Sequence, residues 1–201
     1  STMFGVDMDL IKKGNPEYAL RGKGKIAELA LGYQGGKGSL VSMGALSMGL
    51  SEEELPDIVR RWRGSNQRIV DFWYAVERYT LDTVRHWTAG YMPSGIAFTR
   101  DEDYLIITLP SGRSLYYYKP EIRLNDLGRD AIHFRGVNQK TKKWEAVSTY
   151  GGKLTENIVQ AVARDLLANS MINLFRAGFQ IYFHIHDEVI LEVPEDSGRT
   201  L

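Results

Sequence analysis

The most regular apolar period lies in the last third of the chain. Over residues 154–175, Val159, Val162, Leu166 and Leu174 recur at helical spacing with Gly178 just beyond, predicting a helix with these four residues inward. Two more helical stretches, about 55–63 and about 66–87, are separated by Gly64-Ser65, with Trp62, Ile69, Trp73, Val76 and Val84 as their predicted inward residues. Ser51-Glu52-Glu53-Glu54 before them has the capping-box spacing, and Pro56 can shift the true start inward. A fourth helix is predicted over 21–33, where Ile26, Leu29, Ala30 and Tyr33 recur at spacings of three and four, and Gly35-Gly36 ends it. Gly22 and Gly24 each oppose that helix by about 1 kcal/mol relative to alanine, so its first turn is expected to lean on tertiary contacts or a ligand. Residues 35–49, rich in Gly and Ser, read as a loop with a short helical piece.

Strand signals fall between and after these helices. Residues 105–109 and 114–118 flank the turn Pro110-Ser111-Gly112-Arg113 and predict a hairpin, whereas 123–147 is mixed, polar and without a clear period. Residues 180–185 alternate, turn at His186-Asp187-Glu188 and resume at Val189-Ile190-Leu191-Glu192-Val193, a second hairpin. Helices and antiparallel hairpins without βαβ alternation predict an α+β fold.

Composition narrows the class. The chain has 201 residues, 43% hydrophobic, with six prolines, which is enough for a packed core and carries no disordered signature. No apolar run approaches the roughly twenty residues of a membrane span, and the first residues lack a basic-then-apolar leader, so membrane and secreted readings are set aside. The absence of cysteine removes disulfides, thiolate nucleophiles and Cys-type zinc sites, and suits a reducing cytoplasm. Both ends read as cut, the chain opening in mid-phrase and closing on polar residues after a strand.

A net charge of +0 argues against a uniformly basic nucleic-acid module, but the charge is polarised. Residues 10–40 hold Lys12, Lys13, Arg21, Lys23, Lys25 and Lys37 against Glu17 and Glu28. Residues 181–196 hold Asp187, Glu188, Glu192, Glu195 and Asp196 with no Lys or Arg. The first end suits a polyanion and the second a divalent cation.

Within the cationic segment, Arg21, Lys25, Leu29 and Tyr33 follow at intervals of four, a stripe on which a triphosphate would meet an Arg fork and a Lys point charge, its sugar or base lying toward Leu29 and Tyr33. A solvated basic end with a packed apolar end fits the spacing equally well. Gly35-Gly36-Lys37-Gly38-Ser39 is not a P-loop, because Leu31 stands at the first glycine and Gly38 at the Ser/Thr position. At the hairpin tip, Asp187 and Glu188 replace the Asn-Gly or Asp-Gly that tight turns favour, and Mg²⁺ would relieve their repulsion. Read in isolation, a solvated acidic turn is the simpler account. His184 and His186, two apart on a strand, could share a metal with Asp187, which keeps a metal-dependent hydrolase open. A non-catalytic nucleic-acid-binding domain, stacking bases on Trp87 and Tyr91, is a third reading.

Four segments in order resemble the family A DNA polymerases, the bacterial polymerase I group, in a phage-like wording. Arg21-x3-Lys25-x7-Tyr33 followed by glycines resembles motif B, and His186-Asp187-Glu188 in an apolar hairpin resembles motif C. Residues 109–116 are similar to the Gly-Arg-Arg segment, and 156–165 to the helix whose Asn and Gln touch template and primer. The resemblance implies a helical fingers part (about 15–90), a hairpin and connecting region (about 91–150) and a partial palm (about 151–201). It implies that Arg21 and Lys25 hold the triphosphate, with Lys25 also a general acid, that Leu29 and Tyr33 flank the nucleotide, and that Asp187 and Glu188 bind Mg²⁺ and act in catalysis. Arg113, Asn157, Gln160 and His186 would contact primer-template DNA, with deoxynucleoside triphosphates as substrates and two Mg²⁺ ions as cofactors. Leu29 stands where the family carries an aromatic, Asn157 is three rather than four residues before Gln160, and the motif A aspartate expected some fifty residues before Arg21 is absent. The resemblance therefore implies a fragment inactive alone.

Overall fold

A computed structural model describes residues 3–125 and 128–194; Glu195 and Asp196, two acids of the anionic segment, lie outside them. The chain is mixed helix and antiparallel sheet, as the hairpin signals predict. After 3-10 turns at Met8–Leu10 and Pro16–Ala19 come α1 (Leu20–Leu31), α2 (Lys37–Ser42), α3 (Leu55–Ser65) and α4 (Gln67–His86). The Ser51 N–H donates to the Glu54 carboxylate at 2.8 Å, half of the predicted capping box, and with Pro56 in its first turn α3 starts inward, at Leu55.

A six-stranded meander follows: β1 (Gly90–Tyr91), β2 (Ala97–Arg100), β3 (Tyr104–Thr108), β4 (Ser114–Leu124), β5 (Asp130–Val137) and β6 (Trp144–Thr149), hydrogen-bonded in chain order. The segment with no readable period, 123–147, is thus the end of β4 with β5 and β6. Its pattern is hidden by a solvent face bearing apolar Val137 and Trp144. Helix α5 (Gly151–Arg176) leads into β7 (Gln180–Ile185) and β8 (Glu188–Glu192), which form a separate two-stranded sheet. Gly178 takes φ 80°, the left-handed close expected after a helix.

Two apolar clusters share α4. Ala27, Ala30 and Leu31 of α1 pack with Leu40, Leu55, Trp62, Val70 and Trp73, and the Trp62 and Trp73 rings stack at 5.8 Å. Val76 and Val84 of α4 instead join Phe98, Leu105, Ile107, Tyr117 and Ile132 of the sheet with Leu154 and Ile158 of α5. One helix therefore fixes the angle between the cationic region and the sheet.

Several inward residues differ from the expectation. Val70 is buried while Ile69 is exposed, and Leu29 is 55% exposed because Ala27, Ala30 and Leu31 form the packed face of α1. On α5, Leu154, Ile158 and Ala161 are buried, whereas Val159 and Leu166 face solvent and Leu174 is half-buried. Apolar residues occur on more than one face of α5, so periodicity alone could not choose the face turned to the core.

Candidate functional site

Three of the four stripe residues sit where the spacing puts them. Arg21, Lys25 and Leu29 lie one turn apart on the exposed face of α1, opposite its packed face, and neither cation makes an ion pair or hydrogen bond among the described residues. The glycines that oppose the helix are held by tertiary contacts, as expected. Met48 packs over Gly22, and the Lys23 ammonium donates to the Gly49 carbonyl at 3.3 Å. Tyr33, by contrast, lies beyond the helix, in a turn that Gln34 enters with φ 69°. That turn is held from three sides. The Trp73 indole donates to the Gly32 carbonyl at 2.9 Å, Arg63 donates to the Gly35 carbonyl at 3.0 Å, and a Cβ on Gly35 would lie 1.8 Å from the Ala30 oxygen. Only glycine lets the chain fold back so tightly on the last turn of α1.

The same turn abuts α5. The Gly152 N–H donates to Gln34 Oε1 at 2.7 Å, and a Cβ on Gly152 would fall 2.3 Å from the Tyr33 oxygen. A Cβ on Gly151 would fall 2.2 Å from the Trp73 oxygen. The Gly151 N–H also bonds the carboxyl of half-buried Glu77, whose pKa burial raises above the usual carboxylate range against that hydrogen bond. A glycine pair thus lets the start of α5 touch both the turn after α1 and the side of α4.

Down α5, the residues matched to the template helix already have partners. Asn157 Nδ2 donates at 2.9 Å to the hydroxyl of Tyr117, whose pKa is raised by burial. Gln160, on the exposed side, donates at 3.2 Å to Glu156, which Lys153 also contacts at 2.7 Å. Arg113 reaches from the β3–β4 turn, its Nε donating to Asp165 at 2.7 Å and a terminal nitrogen to the Ala161 carbonyl at 2.7 Å. Ser111 donates to the other Asp165 oxygen at 2.6 Å, and these bonds from Ser111 and Arg113 hold the Asp165 carboxyl below its usual pKa. Arg113 therefore clamps a sheet turn to α5.

The second hairpin folds back along α5. Arg164 lies 3.4 Å from His184 Nε2, so the tip points toward the stretch of α5 that holds Gln160, one turn away. The tip is His186-Asp187, with Glu188 already in β8 opposite Ile185, so the positive φ falls on His186 (51°) rather than on either acid. Asp187 and Glu188 are exposed and make no ion pair among the described residues. Two adjacent, uncommitted carboxylates suit a hard cation such as Mg²⁺ but supply only part of a shell of six or more oxygens. No three His, Asp or Glu side chains among the described residues come together as a metal site, so His184, His186 and Asp187 do not close the shell that the hydrolase reading required; His184 instead faces a guanidinium. Trp87, proposed for base stacking, already carries Arg100 over its ring at 4.2 Å, while Tyr91 is exposed.

Contacts therefore join Tyr33 to α5 and α5 to the hairpin. No hydrogen bond or ion pair among the described residues joins Arg21 or Lys25 to Asp187 or Glu188. Arg21 lines an open cavity of about 990 Å³ with Met3, Phe4, Met8 and Leu20, and no hairpin residue takes part in it. Gln34, Glu77, Gly151, Gly152 and Asp165 were not singled out by sequence; Gly151-Gly152 at a helix start was the one legible signal.

No protein-family model matches the chain. No solved structure matches it. A curated relative, described as a DNA polymerase of Bacillus phage SP02, is 48% identical over 198 residues, covering 98% of this chain and 30% of that protein. The chain thus spans less than a third of the length of the polymerase it resembles.

Proposed function

We propose that this chain is the nucleotide-receiving part, and half of the carboxylate site, of a DNA polymerase of the family A type. The observation that carries the reading is the 48% identity along 98% of the chain with a phage DNA polymerase, and the segments matched to motifs B and C both fall inside it. The geometry is compatible with it. Arg21 and Lys25 are aligned, solvent-facing and unpaired among the described residues, on a helix whose following turn is hydrogen-bonded to α5.

In this reading, Arg21 and Lys25 bind the phosphates of an incoming deoxynucleoside triphosphate, Arg as a fork and Lys as a point charge. Lys25 then donates a proton to the departing pyrophosphate. Leu29 and Tyr33 border the sugar and base; the glycine joint fixes Tyr33 relative to Gln160, which faces the DNA with Asn157 behind it. Arg113 acts by holding the β3–β4 turn to α5. His186 meets the primer end, and Asp187, assisted by Glu188, holds metal. Two Mg²⁺ ions, when bound, supply alignment of the primer hydroxyl and stabilisation of charge on attacking and leaving oxygens. The reading requires a second metal-binding carboxylate besides those of Asp187 and Glu188.

One stretch of the surface is unusually apolar. Leu166, Ile172 and Phe175 of α5 and Tyr182, Phe183, Ile185 and Ile190 of the hairpin are all exposed, a large apolar area for a folded surface.

The test is nucleotide binding and primer extension by the 201-residue chain. Mg²⁺–deoxynucleotide binding should be measurable and should weaken in Lys25→Ala by about 1.5–3 kcal/mol, the range for a charged hydrogen bond, with the unfolding midpoint unchanged. Primer extension by the chain alone should be absent. Unchanged nucleotide affinity in Lys25→Ala would reduce Lys25 to a solvated lysine, and robust extension would mean that an aspartate within these 201 residues completes the site.

A further inference from the structure

The outer face of the six-stranded sheet carries a cluster of rings that no role above uses. Register puts Tyr104 opposite Tyr118, Tyr118 opposite Arg135 and Arg135 opposite Ala146, so these side chains share one face with Tyr116 and Trp144, two residues along their strands. The ring centres lie 5.9 Å apart for Tyr104–Tyr116, 5.3 Å for Tyr104–Tyr118 and 6.4 Å for Tyr118–Trp144. With Arg135 they line a shallow concavity of about 460 Å³. The opposite face of the same strands, with Leu105, Ile107, Tyr117 and Ile132, is the one packed on α4 and α5.

Single exposed rings are ordinary, but a contiguous exposed group marks a binding face. Tyr116 and Trp144 are each 63% exposed, so their ring faces are available to a planar ligand. The charge beside them is cationic. The β5–β6 turn that leads into Trp144 carries Lys140, Lys142 and Lys143, none in an ion pair among the described residues, and Arg135 on the platform is equally unpaired. Lys119, turned out at the register shift with φ 48°, lies 5.8 Å from the Tyr118 ring. Acids border the Tyr104–Tyr118 side, in Asp101, Glu102 and Asp103, where Asp103 pairs with Lys119. Rings for stacking beside a row of uncommitted cations complement a polyanion with exposed planar groups.

We propose that this face binds single-stranded nucleic acid, bases stacking on Tyr116 and Trp144 and the phosphates following Arg135 and the lysines of the β5–β6 turn. A duplex hides its base faces and a neutral sugar gains nothing from the lysines, so neither fits as well. The surface is separate from α1 and the second hairpin, and the inference does not rest on the polymerase reading.

The test titrates the full chain with single-stranded oligothymidylate, following fluorescence anisotropy of the labelled DNA, with duplex DNA and a neutral oligosaccharide as competitors. Trp144→Ala and Tyr116→Ala should each lower affinity by about 5- to 100-fold, as expected for loss of one stacked base. Trp144→Phe, which keeps a ring, should retain most of the binding. Lys143→Ala should reduce the slope of log affinity against log salt by about 0.7. Mg²⁺–deoxynucleotide binding should be unchanged in all four, separating this surface from α1. Equal affinity of Trp144→Ala and the parent chain, or competition by duplex or oligosaccharide as strong as by the single strand, would overturn the proposal.

Discussion

Replacing Gly152 by alanine tests the joint that positions Tyr33 against α5. The new Cβ would lie 2.3 Å from the Tyr33 oxygen, 2.4 Å from Gln34 Cβ and 2.7 Å from the Tyr33 carbonyl carbon. Two of those three atoms are backbone, so no rotamer change relieves them. Overpacking of this kind costs about 1–3 kcal/mol. Displacing the Gln34–Gly152 hydrogen bond costs about 1 kcal/mol more, and alanine's helix preference returns about the same amount. The net expectation is a loss of about 1–3 kcal/mol, or about 2–12 °C in midpoint for a chain of this size. Gly64 is the control, because it is exposed on the outer side of α3 and a Cβ there would meet nothing within 4 Å. Gly64→Ala should stabilise by about 0.5–1 kcal/mol. Urea and thermal unfolding followed by far-ultraviolet circular dichroism would measure both. If Gly152→Ala matched or exceeded the parent in stability, the close approach of Tyr33 to α5 would be wrong.

Two further predictions concern α5 and α4. Leu154→Ala should cost about 2–5 kcal/mol as a core truncation, whereas Leu166→Ala, at an exposed position, should stay within about 0.5 kcal/mol; the reverse order in urea denaturation would restore the face that periodicity favours. Glu77 titrates above its unfolded value of 4.5 because burial disfavours its charge, so it lowers stability as pH rises through that value and costs nothing well below it. Glu77→Gln keeps an acceptor for the Gly151 N–H and should therefore gain stability relative to the parent between about pH 4 and pH 7; a loss over that interval would contradict the assignment.

What the sequence made legible follows from where each pattern gets its cause. Helices α3 and α4 were readable because Trp62, Trp73, Val76 and Val84 all face packed clusters, and β3 and β4 because Pro110-Ser111-Gly112-Arg113 is local turn chemistry. The second hairpin was equally local, although its tip is one residue earlier than the acids suggest, since His186 rather than glycine takes the positive φ. Strands β5 and β6 were opaque because their outer face holds Val137 and Trp144 where alternation expects polar residues. The inward face of α5 was misread for a related reason, its apolar residues being spread around the helix. The stripe of Arg21, Lys25 and Leu29 was visible in spacing, while the partners that fix its surroundings were not. Gln34 and Gly152 are 118 positions apart and Arg113 and Asp165 are 52 apart, and no local rule couples residues at such separations.

The two kinds of apolar surface on α5 bear on how the proposed carboxylate site would form. Its first half is anchored on the sheet core through Leu154, Ile158 and Ala161, so Gly152 and Asn157 are fixed whatever happens beyond them. Its second half and the hairpin leave Leu166, Phe175, Phe183 and Ile185 in water, and a two-stranded ribbon so exposed is only marginally stable by itself. Asp187 sits at the tip of that ribbon. Its position relative to α1 therefore depends on how the ribbon is held along α5, through contacts such as that of Arg164 with His184.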